Sequence, residues 1–246
     1  MTSLVRSFLA AALVLFGGNA LAETIVGSGR MVTESRPVAG FAGLSVAVSG
    51  KVTLTQGNTE SLTITADDNV MPYIESSIEK NQLRIRFKPP AEHHLTLSRE
   101  TIAIAVVAKN VESINVGGSA DVTVGPFRAT RFVANIGGSG TIDIASAELE
   151  DMVITIGGSG DFKVRGGRTD TLDVRIGGSG EVNLAKMQSK RAKVRIGGSG
   201  EASLWVRETL SARVAVSGGV RYYGDPTVDR SVSGSGDVRR AGAAPT

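Results

Sequence analysis

The stretch VRIGGSGEVNL (residues 174–184) recurs almost unchanged twenty residues later as VRIGGSGEASL (residues 194–204). Its glycine pair belongs to a longer series with the same twenty-residue step, whose first members are Gly117, Gly137, Gly157, Gly177 and Gly197. Self-similarity at a fixed period of this length indicates a repeat architecture, in which each unit packs only on its neighbours. The repeat therefore decides the fold class.

Apolar and polar residues alternate on both sides of each Gly-Gly-Ser-Gly corner. In the second stretch, VRI (194–196) precedes the corner and ASL (202–204) follows it, each with a polar residue between two apolar ones. A period of two predicts β-strands with one buried face. Each repeat thus reads as a strand, a four-residue corner, a second strand and a polar return of about eight residues.

A unit with two short strands cannot bury its apolar face alone, whereas units stacked in register can. The sequence therefore predicts an all-β protein, a parallel β-solenoid with coils of about 20 residues. Meandering antiparallel sheets are the alternative, although sequential hairpins would not require the same corner at the same phase. We expect the corner glycines to supply backbone angles that other residues resist.

Less regular segments flank the repeats. Residues 23–110 contain several strand-like runs, which we interpret as an N-terminal β lobe that covers the first coil and protects its edge. The solenoid is predicted at residues 111–240, followed by a flexible tail at residues 241–246. A sixth copy, VAVSGGVRYYG, keeps the twenty-residue step if Ser217 takes the place of the first glycine.

The first 22 residues, MTSLVRSFLAAALVLFGGNALA, have the features of a secretory signal peptide. They combine a basic start at Arg6, an apolar run from Phe8 to Phe16, and small residues at Ala20 and Ala22. The apolar run is too short to span a bilayer. We therefore predict a signal peptide at 1–22, a mature protein without a transmembrane anchor, and a periplasmic or secreted location.

The composition argues against several classes of function. The 246 residues include no cysteine, which excludes disulfide-stapled folds, thiol nucleophiles and thiolate metal sites. Lys and Arg total 27 against 24 Asp and Glu, without a basic block, so nucleic acid is not an expected partner. No phosphate-binding loop motif is present, and the carboxylate spacing differs from that of Ca²⁺-binding β-roll repeats. No metal and no cofactor are predicted.

Three consecutive corners are each followed directly by a carboxylate. Because Asp161, Glu181 and Glu201 are twenty residues apart, stacking predicts that they form one outward column. Such a column is either a solvated face, balanced by the neighbouring Arg175 and Arg195, or the paired carboxylates of a polysaccharide-cleaving enzyme. The solvated face is the simpler interpretation, and we assign no catalytic residue.

Aromatic residues cluster near the C-terminal end, where Trp205 precedes YYGDP (222–226). If Tyr222 faces inward, Tyr223 points outward. The cluster either covers the apolar edge of the last coil or presents an aromatic face to a sugar. Together with the acidic column, Trp205 and Tyr223 are the candidate ligand-binding residues of this sequence.

Three ordered segments resemble a known family. GFAGLSVAVSGKVTLTQG (40–57), VESINVGGSADVTV (111–124) and VSGGVRYYGDPTVDRSVSGSGDVRR (216–240) are similar to the GIN-domain family of exported bacterial proteins. Members of this family are labelled auto-transporter adhesin head domains. The resemblance implies a right-handed parallel β-helix, and it supplies no catalytic residues.

The sequence as a whole predicts an exported, non-enzymatic β-solenoid that serves as a binding or adhesion-type module in the cell envelope or outside the cell. A surface glycan or an envelope protein is the expected partner. The alternative is a pectinase-like enzyme, because right-handed β-helices include many pectin-cleaving enzymes. That alternative depends on fold analogy alone.

Overall fold

The computed structural model describes residues 24–88, 94–96 and 102–244, so the predicted signal peptide at 1–22 lies outside the described residues. Within these ranges the regular structure is β, apart from one 3₁₀ turn at Met71–Tyr73. The same ranges contain no helix that is long and apolar enough to cross a membrane.

The strands are β1 Thr24–Val26, β2 Met31–Arg36, β3 Gly43–Ala47, β4 Lys51–Gln56, β5 Ser61–Asp67, β6 Ile74–Glu79, β7 Gln82–Phe87, β8 His94–Thr96, β9 Ala103–Ala108, β10 Ser113–Val116, β11 Asp121–Val124, β12 Phe127–Ile136, β13 Thr141–Ile144, β14 Ala147–Ile156, β15 Asp161–Val164, β16 Gly167–Ile176, β17 Glu181–Ile196, β18 Glu201–Val214, β19 Gly219–Tyr223, β20 Thr227–Val232 and β21 Asp237–Gly242.

Two parallel ladders run through the molecule. The first ladder joins strands that precede the corners, in the order β7, β3, β10, β12, β14, β16, β17, β18 and β20. The second ladder joins strands that follow the corners, in the order β9, β4, β11, β13, β15, β17, β18, β19 and β21. The long strands β17 and β18 run from one coil into the next and belong to both. The predicted parallel β-solenoid is confirmed.

The core lies between the ladders, where equivalent apolar residues stack from coil to coil. One inward column of the first ladder consists of Ile114, Ala134, Ile154, Val174, Val194 and Ala212, all buried. In the second ladder, Phe162 lies between Ile142 and Val182 in the adjacent coils and is 1% exposed. The predicted alternation of inward and outward residues therefore sets the packing.

The return segment is a third wall of the solenoid, although the sequence suggests a polar connection. It is extended in β12, β14, β16 and β17, and alternate residues face the core, such as Leu149, Thr169 and Ser189. The buried hydroxyls are satisfied locally, because Thr169 Oγ1 donates to Glu150 O and Ser189 Oγ donates to Trp205 O. Paired hydroxyls allow polar residues to occupy inward positions.

Strand pairing continues across the boundary predicted at residue 110. Strands β3 and β4 form a coil of their own, which pairs in parallel with β10 and β11 on one side and with β7 and β9 on the other. Beyond that coil the pairing becomes antiparallel, from β7 to β6, from β9 to β5 and from β5 to β2. Residues before 110 thus supply both a coil and an antiparallel cap.

The expectation that the corner glycines supply unusual backbone angles is wrong. Their role is to permit close approach between adjacent coils. In the described part of the chain, left-handed φ values occur at six glycines, none of them in the corners between residues 117 and 200. A Cβ on Gly178 would lie far closer than 3.0 Å to the carbonyl oxygen of Gly158 in the preceding coil. At Gly177 the nearest atom would be 3.9 Å away. Of the glycine pair, the second is therefore the sterically required one, and the last glycine of the corner is equally constrained, because a Cβ on Gly180 would overlap Gly160 O.

The repeat shortens from twenty to eighteen residues near the C-terminal end, which corrects the predicted place of Ser217. Val214 pairs with Ile196, and Val232 pairs with Val214. Ala215 therefore follows in the place of the first glycine, where its N–H donates to Ile196 O. The shortened corner leaves Val216 exposed, and it places Gly219 after Glu201 in the column of carboxylates.

The last coil carries arginine where earlier coils carry core residues. Arg230 pairs in register with the buried Ala212, and its guanidinium reaches across the coil to donate to Val238 O at 3.0 Å. Arg240 pairs with Tyr222 and donates to Gly224 O at 2.7 Å. Strand β21 extends to Gly242, so two residues of the predicted tail are in a strand.

A polar clasp holds the N-terminal segment against the start of the 3₁₀ turn. Gly29 N donates to the buried Asp67, and Ser28 and Arg30 donate to Asp68. The hydrogen bond from Ser28, followed by that from Arg30, lowers the pKa of Asp68 from its ordinary value of 3.8. The stabilisation by the hydrogen bonds to charged Asp68 is thus fully present above pH 3.8, and it is lost as the pH falls through the lowered pKa.

We expect Asp68→Asn to release this segment, because the amide cannot accept two charge-assisted hydrogen bonds. Limited proteolysis at neutral pH should cut the variant faster than the parent between residues 24 and 36. The difference should shrink as the pH falls through the lowered pKa of Asp68, where the parent loses the same charge. Equal cleavage rates at neutral pH would contradict this role.

Candidate functional site

The three carboxylates that follow the corners form the predicted column. Asp161 pairs in register with Glu181, and Glu181 pairs with Glu201. All three side chains are exposed on the outer side of the second ladder, about 4.8 Å from one coil to the next. The column is bounded by Thr141 on one side and by Gly219 on the other.

The charges beside this column differ from those that the sequence suggests. Arg175 and Arg195 lie in the first ladder, and both form ion pairs with Asp173, at 2.6 and 3.4 Å. Glu201 is paired instead with Arg221 of the next coil. The expected balance by Arg175 and Arg195 is therefore wrong, because the corner directs those side chains away from the column.

The two aromatic candidates lie next to each other on the same outer side. Trp205 pairs in register with Tyr223, and both are half-buried. Tyr222 packs against the core, which agrees with the predicted alternation. Trp205 and Glu201 lie four residues apart on one strand and face the same way, so they are about 13 Å apart.

We use the term lateral face for the outer side of the second ladder from Asp143 to Tyr223. All five residues singled out from the sequence lie on it. Its middle column joins the acidic and aromatic parts and consists of Asp143, Lys163, Asn183, Ser203 and Arg221. The lateral face therefore combines carboxylates, amide and hydroxyl groups, cations and aromatic rings.

One carboxylate of the middle column is already matched by a guanidinium. Arg165 donates to both oxygens of Asp143, at 2.8 Å for the Nε–Oδ1 pair. These hydrogen bonds, aided by the charges of Arg165 and Lys163, lower the pKa of Asp143. The carboxylate is thus charged and engaged at neutral pH, and Lys163 is not its hydrogen-bonding partner.

A groove of about 470 Å³ opens beside Tyr223, and sequence reasoning missed it. Its lining includes Lys163, Asn183 and Lys186 on one side and the chain end at residues 241–244 on the other. The chain end is anchored because Gly224 N donates to Gly242 O and Ala243 O. Nothing in the repeat pattern indicates that residues near 242 return to the coil of Lys163.

No group of three His, Asp or Glu side chains suited to a metal ion is present within residues 24–88, 94–96 and 102–244. The distinguishing features of the lateral face are the aligned rungs of polar side chains and the adjacent aromatic pair.

The architecture and this face define a β-solenoid with an exposed polar and aromatic side surface. Residues 40–226 match the family described as "Putative auto-transporter adhesin, head GIN domain". The chain belongs to this family, and the resemblance drawn from its sequence is confirmed. Among curated proteins, none matches the chain.

Solved structures share the fold over nearly their whole length. A putative adhesin from Bacteroides fragilis is 20% identical, with a TM-score of 0.82 over 88% of this chain and 99% of that chain. A putative lipid binding protein from Parabacteroides distasonis is 23% identical, with a TM-score of 0.73 over 89% and 100%. A putative adhesin from Parabacteroides merdae is 20% identical, with a TM-score of 0.66 over 89% and 99%. At these identities the likeness establishes the fold.

Proposed function

We propose that the protein is an exported, non-enzymatic adhesion-type module of the cell envelope or its surroundings, and that it binds glycans through the lateral face. The observation that carries this proposal is the placement of Trp205 and Tyr223 beside the column of Asp161, Glu181 and Glu201. Export is inferred from the signal features of residues 1–22. Membership of an adhesin family supports a binding role.

The chemistry of the lateral face suits a sugar chain. Aromatic rings pack against the C–H faces of sugars, while carboxylates and amides exchange hydrogen bonds with hydroxyl groups. The rungs repeat about every 4.8 Å, so several sugar residues can contact equivalent side chains in successive coils. A sugar chain is therefore the partner that we propose for this surface, in preference to an envelope protein.

The absence of catalysis is part of the proposal. The three carboxylates stand in a row on neighbouring strands, and the Glu201 side chain is 53% exposed and paired with Arg221. A polysaccharide-cleaving pair requires one carboxyl group that is protonated at working pH and a substrate held between the two. We expect the protein to leave the chain length of every glycan it binds unchanged, as judged by chromatography after prolonged incubation.

Binding should depend on the aromatic pair. We expect Trp205→Ala and Tyr223→Ala each to weaken the affinity for a ligand found on a glycan array by about tenfold or more. Phe87→Ala is the matched control, because Phe87 is also half-buried but lies near the N-terminal cap. Calorimetry would measure the affinities, and circular dichroism would verify folding. Unchanged affinity in both variants, or capture of proteins but no glycan, would refute the proposal.

A further inference from the structure

The groove beside Tyr223 is built from two distant parts of the chain. Lys163, Arg165, Asn183 and Lys186 come from two successive coils, and residues 241–244 close the opposite side. Its volume of about 470 Å³ falls within the range of small-ligand sites, roughly 300–1,000 Å³. The groove adjoins the lateral face, since Tyr223 pairs with Trp205.

The charged side chains that line the groove are all cationic. Its lining contains Lys163, Arg165 and Lys186 and no carboxylate. Arg165 is occupied by Asp143, and Lys163 acts on that carboxylate through its charge without a hydrogen bond. In the described part of the chain, neither Lys163 nor Lys186 has an ion pair. Two ammonium groups are therefore available to an anion in the groove.

The neutral groups of the groove are oriented as well. Asn183 Oδ1 accepts a hydrogen bond from Ala185 N at 3.4 Å, which leaves the side-chain N–H groups available as donors. The ring of Tyr223 lies close to Gly242, where a Cβ would be only 3.7 Å from the ring. Residues near Gly242 thus pack against the ring, and the amide of Asn183 supplies donors in the same groove.

We propose that this groove binds a sugar residue that carries a carboxylate. Lys163 and Lys186 would bind the carboxylate, Asn183 would donate to a hydroxyl or ring oxygen, and Tyr223 would pack against the sugar ring. Charge-assisted hydrogen bonds make the carboxylate the main source of preference over a neutral sugar. This assignment rests on the proposed glycan-binding function and adds the class of ligand.

The test compares trigalacturonate with its methyl ester, which has the same sugar rings without the charges. We expect the mature protein to bind the acid at least about tenfold more tightly than the ester. The double variant Lys163→Met/Lys186→Met should bind both forms with equal, ester-like affinity. Lys109→Met/Lys193→Met, which removes two lysines outside the groove, should keep the preference.

The outcomes separate this inference from the proposed function. A preference that survives Lys163→Met/Lys186→Met, or that disappears equally in the control pair, would overturn the groove assignment. Binding of neutral array glycans without binding of trigalacturonate would also overturn it, while the glycan-binding function would stand. Tighter binding of a sulfated trisaccharide than of trigalacturonate would reject the carboxylate. Binding of no glycan at all would instead reject the proposed function.

Discussion

Replacing Gly178 with alanine should lower the free energy of unfolding by about 3 kcal/mol or more, and valine should prevent folding. The reason is the backbone of the neighbouring coil, because a Cβ at this position would overlap the carbonyl oxygen of Gly158. Relief would require the two coils to separate, which would lengthen hydrogen bonds such as that from Ser179 N to Gly158 O, now 3.1 Å.

The adjacent glycine is the control, and it should respond in the opposite direction. A Cβ on Gly177 would be 3.9 Å from its nearest neighbour, and its φ is outside the left-handed region. Gly177→Ala should therefore raise the free energy of unfolding by up to about 1 kcal/mol, because alanine restricts the unfolded chain. Urea denaturation of both variants would measure the difference. Equal effects at the two positions would contradict the steric explanation.

Truncation of Phe162 to alanine should cost about 3–5 kcal/mol. Its ring is 1% exposed and lies between Ile142 and Val182 of the adjacent coils, so its loss leaves a cavity between two fixed rungs. The neighbouring strands cannot move in to fill this cavity, because β15 is held in register by β13 on one side and by β17 on the other. The loss should appear as a lower urea midpoint with an unchanged dependence on urea concentration.

A smaller change at the same position tests the packing argument. Phe162→Leu retains most of the apolar volume and should cost less than half as much as the alanine variant. A leucine variant as unstable as the alanine variant would show that the aromatic shape, and not the filled volume, stabilises this layer.

Much of the fold can be predicted from the sequence, because the repeat that indicates the strands within one coil also indicates which residues pair between coils. Once VRI (194–196) is known to alternate around a corner, stacking at twenty residues fixes which residues meet. The pattern fails where the period changes, as at Val216, because the letters VSGG fit two alignments and only strand pairing selects one. It also fails in the return, where hydrogen-bonded Thr169 and Ser189 point inward although they are polar.

The candidate site was predictable in part for the same reason. The alignment of Asp161, Glu181 and Glu201 follows from their spacing alone. Their ion-pair partners do not follow from the spacing, because a long side chain can reach several neighbours in adjacent coils. Arg221, for example, pairs with Glu201. The groove was unpredictable, since it depends on the path of residues 241–244 after the last repeat.

The arginines of the last coil have a consequence for how this molecule meets others. A further coil added at that end would have to cover Arg230 and Arg240 and desolvate their charges, which is strongly unfavourable without partners. At the opposite end, the outermost strands β2 and β6 each pair antiparallel with their inner neighbour. A further coil is therefore disfavoured beyond Arg230 and Arg240, so the C-terminal end of the solenoid does not favour end-to-end growth into a fibre.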